Sequence, residues 1–194
     1  MESIRLKARA KINLGLDVIG RRENGYHDVR MVMQTVGLYD RIIMTRIPEE
    51  EIRIKTNIGF LPVNENNLVY KAIMLMKNKY KLDGGIEVDL NKFIPVAAGM
   101  AGGSSDAASA LFGMNRLYEL NLPMGELMNI GVEIGADVPY CIMRGTALAE
   151  GIGEKLTRLP DMVLKMSMTE CSFFMGWSTE SRCLARSIKA PGWK

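Results

Sequence analysis

The densest chemistry in this 194-residue chain lies in one short segment, Pro95-Val96-Ala97-Ala98-Gly99-Met100-Ala101-Gly102-Gly103-Ser104-Ser105-Asp106. Three glycines let successive backbone N–H groups turn inward, two hydroxyls follow, and Ser104-Ser105-Asp106 reads as a helix start whose unpaired N–H groups and dipole favour an anion. In chemical terms this is a phosphate cradle. It is not a Walker loop, because no Lys-Ser/Thr follows the glycines, and Gly99 and Gly102 lack the G-x-G-x-x-G spacing of a dinucleotide fingerprint. Glycines alone fit equally a plain connection that lets a helix pack tightly on a sheet; the paired hydroxyls favour the cradle. Other chemistries are poorly supplied. His27 is the one histidine, and Cys141, Cys171 and Cys183 show no C-x-x-C spacing. Neither a multi-histidine metal centre, nor a cysteine zinc site, nor a disulfide framework is expected, and no residue is assigned to a metal.

The elements that must hold this loop read as an α+β layer. From Ile4 to Val18 the chain alternates, with Ile4, Leu6, Ala8, Ala10, Ile12, Leu14, Leu16 and Val18 on one parity and Arg5, Lys7, Arg9, Lys11, Asn13 and Asp17 on the other. That is strand period over a long run, bent near its middle, with Lys11 and Asn13 free to face one cleft while Ile12 and Leu14 face the core. Asn24-Gly25 marks a turn, and extended stretches follow over 29–47 and 52–56. Asn66 and Asn67 are caps for a helix over Leu68 to Tyr80, where Val69, Ala72, Ile73, Met76 and Tyr80 share a side. Ile86, Val88 and Leu90 alternate in a strand that leads into the loop. Beyond it, Ala107, Ala110, Leu111, Met114 and Leu117 or Tyr118 give the next helix a narrow small-residue face. Pro123 opens a further helix carrying Leu127, Ile130 and Ile134; Val138 to Met143 reads as a short extended piece, and a last β-like stretch follows Gly145. Strands in front with helices behind argue against regular β-α alternation.

Composition narrows the partners. A hydrophobic content of 47% supports a sizeable core, and 25 Lys+Arg against 22 Asp+Glu is too even for a nucleic-acid footprint. The longest uncharged stretch, Phe93 to Ser105, has 13 residues, short of the roughly 18 a spanning helix needs. Charges interrupt every apolar pair near the N-terminus, so no signal peptide, no membrane partner and a cytoplasmic location are expected. The 15 methionines read as core filler. Oligomeric state is not set by any of these features.

The loop P-V-A-A-G-M-A-G-G-S-S-D-A-A resembles the second motif of the GHMP kinases, the family of galactokinase, homoserine kinase, mevalonate kinase and phosphomevalonate kinase. A-K-I-N-L-G-L at Ala10 to Leu16, G-R-R-x-x-G-Y-H at Gly20 to His27 and G-A-D-V-P at Gly135 to Pro139 look like the branch acting on a diphosphocytidyl-methylerythritol in non-mevalonate isoprenoid synthesis. The resemblance runs from about Ile4 to Pro160. It implies a ribosomal-protein-S5-like α+β domain and ATP-dependent phosphorylation of the substrate's 2-hydroxyl. It also implies roles. Pro95 to Ser105, with Gly99, Gly102, Gly103, Ser104 and Ser105 foremost, would hold the phosphates of ATP, with Mg2+ bridging phosphate oxygens. Asn67, Leu68 and Lys92 match positions near the nucleotide base, Tyr26 and His27 match the pair contacting cytidine, and Asn13 matches a substrate contact. Lys11 and Asp137 match the catalytic pair. Outside their motifs, Lys11 would read as a solvated strand lysine and Asp137 as a helix-to-strand cap.

The family also has a ferredoxin-like C-terminal domain with a third glycine-rich motif, and the resemblance stops at Leu159-Pro160. Residues 1–160 are therefore read as the N-terminal ATP-binding domain, the C-terminal domain as missing, and residues 161–194 as an atypical tail of the kind a frameshift near Met162 would produce, disordered or loosely docked. Two alternatives stand beside an active kinase: a catalytically inactive nucleotide-binding fragment, and another small-molecule kinase of the family such as homoserine kinase.

Overall fold

The computed structural model describes residues 2–160 apart from Arg22, Asn24 and Tyr26. Tyr26 and the expected tail 161–194 lie outside the described residues. Ten elements follow one another: β1 (Ser3–Arg21), β2 (His27–Ile47), β3 (Ile52–Thr56), α1 (Leu68–Tyr80), β4 (Gly85–Asn91), α2 (Gly102–Leu117), α3 (Met124–Val132), α4 (Val138–Met143), β5 (Thr146–Gly151) and β6 (Lys155–Arg158).

β2 is the spine of the sheet. β1 pairs antiparallel along its whole length, β4 along Arg41–Ile47 and β5 along Val29–Gln34, while β3 adds parallel to β4 and β6 antiparallel to β5. Helices α1 and α2 pack together, and α2 lies against β1 and β2. Their buried sides meet the inward residues of the sheet, among them Met33, Ile42, Met44, Ile86 and Val88, in one core with Ile73, Met76, Leu111 and Met114. Burying side chains of this size stabilises by roughly 1.5–3 kcal/mol each before chain entropy is set against it. Methionine does fill this core, since Met33, Met44, Met76 and Met114 are all fully buried.

Local signals placed several elements closely. Asn67 caps α1, its Oδ1 accepting from the Val69 N–H at 2.9 Å, a bond worth about 1 kcal/mol. Pro123 occupies the N-cap position of α3. Other expectations need correction. The helix after the loop begins at Gly102, not at Ser104, and no side chain caps it. Its face is not narrow, because Ser105, Asp106, Ala108, Ser109 and Asn115 are buried too. Residues 138–143 form a helix rather than an extended piece; Pro139, with φ fixed near the helical value, suits its first turn, and six residues are too few to display a period. Leu16 and Val18 share the inward parity of β1 yet stand 49% and 61% exposed, because burial there depends on what lies across the strand, which alternation does not encode.

Candidate active site

The site grows from a break in β1. Arg9 pairs with Tyr39 but Lys11 pairs with Thr35, so two residues on one strand span four on the other. Backbone groups at the break bond to other elements. The Lys11 N–H donates to the Met100 carbonyl at 3.1 Å, and the Ser105 hydroxyl donates to the Arg9 carbonyl at 2.6 Å. Loop and first helical turn are thus stitched to the middle of the strand that carries Lys11. A second apolar cluster, Ala10, Ile12, Ile94 and Met100, closes beneath the joint.

Lys11 is only 5% exposed. Its ammonium donates to Asn13 Oδ1 at 3.0 Å and stands 3.3 Å from Asp137 Oδ2. A buried cation without partners would be strongly unfavourable, and these two acceptors offset the burial. Asp137 occupies the N-cap position of α4 but makes no capping bond to the backbone; its carboxylate is turned to Lys11 instead. Tyr140, one turn on and fully buried, aligns α4 by donating to the Gly145 carbonyl at 2.7 Å and meeting the Thr35 hydroxyl at 3.1 Å. Burial pushes its phenol up to about 12. Thr35 is the residue paired with Lys11, so the strand and the helix that carry the ion pair are fastened at the same rung.

The loop has the backbone of an anion nest. Positive φ recurs at every second residue, Ala97 (59°), Gly99 (71°) and Ala101 (53°), and alternation of this kind turns successive N–H groups into one concavity. Gly102 and Gly103 do not supply it; neither has positive φ. Gly102 is required for room instead, since a Cβ there would lie 3.1 Å from both Ile94 Cγ2 and Lys92 Nζ. Left-handed conformations at two alanines cost about 1–2 kcal/mol each, strain that accumulates where a backbone is shaped for a ligand.

A cleft of about 410 Å³ opens here, walled by Asn67, Leu68, Lys92, Pro95 to Ser104, Asp106 and Asp137. The sequence-derived residues for phosphate and base therefore share one cavity with Asp137, and Lys11 and Asn13 join through the ion pair. Three placements differ in kind. Ser105 is buried with its hydroxyl on Arg9. The Asn67 side chain is engaged at both ends, by Val69 and by the Pro62 carbonyl. His27 is exposed at the hairpin end of β2, six residues along the strand from Met33, the partner of Asn13, or about 20 Å away.

Asp40 and Asp106 were not foreseen as part of the site. Asp40 is fully buried on the parity of Ile42 and Met44; a carboxylate on a core parity was the available signal. Lys92 donates to Asp40 Oδ2 at 2.5 Å and to Asp106 Oδ2 at 2.6 Å. Burial, with the Asp40 charge adding and Lys92 opposing, pushes Asp106 up to about 8.

Residues 67–145 match the family described as "GHMP kinases N terminal domain". The 4-diphosphocytidyl-2-C-methyl-D-erythritol kinase of Lachnospira eligens is 96% identical over 162 residues, covering 84% of this chain and 56% of that protein. Over residues 67–145 the chain carries the GHMP kinase N-terminal domain. A crystal structure of 4-(cytidine 5'-diphospho)-2C-methyl-D-erythritol kinase superposes with a TM-score of 0.70 at 35% identity, over 80% of this chain and 55% of that one. Homoserine kinase from Cytophaga hutchinsonii has a TM-score of 0.68 at 18% identity, over 88% and 59% of the two chains, which shows the shared fold alone. The chain spans a little over half the length of the curated relatives it matches. Among the described residues no helix is long and apolar enough to cross a membrane.

Proposed function

We propose that the protein transfers the γ-phosphoryl group of ATP to the 2-hydroxyl of 4-diphosphocytidyl-2-C-methyl-D-erythritol, with a cytoplasmic role in isoprenoid synthesis. The observation that carries this reading is the Lys11–Asp137 pair at 3.3 Å beside the anion nest. The nest and the N-terminus of α2 would hold the triphosphate, with Asn67, Leu68 and Lys92 on the side of the base. Asp137 would take the proton of the acceptor hydroxyl as its oxygen bonds to the γ-phosphorus and the bond to the ADP oxygen breaks. Lys11 would keep Asp137 ionised and offer positive charge to the phosphoryl oxygens. Among the described residues no group of three or more His, Cys, Asp and Glu could hold a metal ion, so Mg2+ would be carried on phosphate oxygens, where it would neutralise their charge. Asn13 would fix the acceptor beside Lys11. Tyr26 and His27 would hold the cytidine at the hairpin end, and the length of strand between His27 and Asn13 suits an acceptor extended by a diphosphate.

The test is ADP release by the purified chain with ATP and the cytidyl substrate, against homoserine as acceptor. Cytidyl-dependent turnover is expected. ATP binding without turnover on either acceptor would replace this reading by that of a nucleotide-binding protein; turnover on homoserine would replace the substrate.

A further inference from the structure

Three charged side chains from three parts of the chain meet out of water beneath the loop. Asp40 of β2 is bound twice at the start of the loop: its Oδ1 accepts from the N–H groups of Phe93 and Ile94 at 2.5 and 2.8 Å. Its Oδ2 accepts from the Lys92 ammonium, which also donates to Asp106 in the second turn of α2, just past the end of the loop. One ammonium therefore ties together the two places where the loop joins the body of the domain. Gly102 rests on the same ammonium, and a Cβ there would stand 3.1 Å from it, close enough that the lysine would have to give way.

The charges do not balance if both carboxylates are ionised. Two anions against one cation leave a surplus negative charge directly below a backbone shaped to receive an anion. Asp106 Oδ1 is buried and has no hydrogen-bond partner among the described residues, the condition that favours the neutral acid.

We propose that Asp40, Lys92 and Asp106 are positioning residues that clamp both ends of the phosphate loop, and that the clamp holds an anionic ligand tightly only while Asp106 carries a proton. This rests on the reading that the loop takes a nucleoside triphosphate. Burial places Asp106 near 8, so its proton is present at neutral pH and lost in mild alkali. Two further titratable groups stand near the cluster. Asp137 is paired with Lys11, and burial pushes the Cys141 thiol, the next neighbour on α4, up to about 12.

The experiment is calorimetric titration of the purified chain with ATP from about pH 7 to about pH 9, in wild type and Asp106→Asn. The amide keeps an oxygen for Lys92 and cannot ionise. Wild-type affinity is expected to fall about tenfold per pH unit once Asp106 titrates, while the affinity of Asp106→Asn, whatever its level near pH 7, stays flat across the same range. A melting series is the second readout. A folded-state pKa raised above the unfolded value gives stability that is fully present below about pH 4, declines as pH rises and is gone above about 8, so between about pH 4 and about pH 8 Asp106→Asn should melt with the smaller decline. Equal ATP slopes in the two proteins would overturn the proton requirement, and equal melting slopes would overturn the buried cluster as its origin. Absence of ATP binding at every pH would overturn the nucleotide reading and the ligand half of the proposal, leaving the clamp to stand or fall on the melting series.

Discussion

β1 runs through two regions that differ in everything except their sequence pattern. As far as Ile12 the strand is roofed: Ala8 and Ala10 are fully buried, and the loop is bonded onto the break at Arg9–Lys11. From Gly15 to Arg21 every residue is exposed, although the strand continues to pair with β2 and the apolar alternation is unchanged. The proposed chemistry gathers under the roof, where a buried lysine is held by two acceptors. The residue matched to substrate recognition, His27, lies on the open ribbon. Precise transfer needs groups whose neighbours cannot move, whereas an open ribbon presents an edge and a face to a large acceptor.

The sharpest break of that contrast is Asp137→Asn, which removes the proposed general base while keeping its size. Turnover in the cytidyl-dependent assay should drop about 10²-fold or more with ATP affinity nearly unchanged; near-normal turnover would separate the ion pair from catalysis. Next comes Gly102→Val. Its side chain would press on Lys92 and Ile94 at the floor of the loop, lowering the melting temperature by the equivalent of about 1–3 kcal/mol and weakening ATP binding more than cytidyl-substrate binding. Equal losses for the two ligands would reduce the loop to a packing element. On the ribbon, His27→Ala should raise KM for the cytidyl substrate several-fold and leave both ATP affinity and melting temperature alone; a parallel loss of ATP affinity would join the two regions into one site. The smallest effect belongs to Leu16→Ser, an apolar-to-polar change at an already exposed side chain, expected to shift stability by less than about 0.5 kcal/mol in denaturant titration. A larger loss would mean that the ribbon is covered in solution.

What the sequence disclosed follows the range of the interactions involved. α1 and β4 were legible because Asn67 caps its own neighbour and Ile86, Val88 and Leu90 keep a two-residue period over one short strand. The glycine loop was legible as a flexible connection leading into a helix but not as geometry. Its nest depends on Ala97 and Ala101 in left-handed conformations, which no local preference favours and only the docking onto β1 and Ile94 can impose. Asp137 was legible through its motif, whereas its carboxylate's 3.3 Å approach to Lys11 spans 126 positions of chain. Asp40 and Asp106 stayed hidden for the same reason: each is an ordinary acidic residue until Lys92 is placed between them.

The bond from the Lys11 amide to the Met100 carbonyl makes that one hydrogen a reporter. Deuterium can replace it only when loop and strand part, so its exchange rate measures how often the loop lifts, at a free energy separable from that of global unfolding. A ligand seated in the nest would slow this single exchange before it altered the protection of the core strands. Occupancy of the cleft could thus be followed at an atom that never touches the ligand.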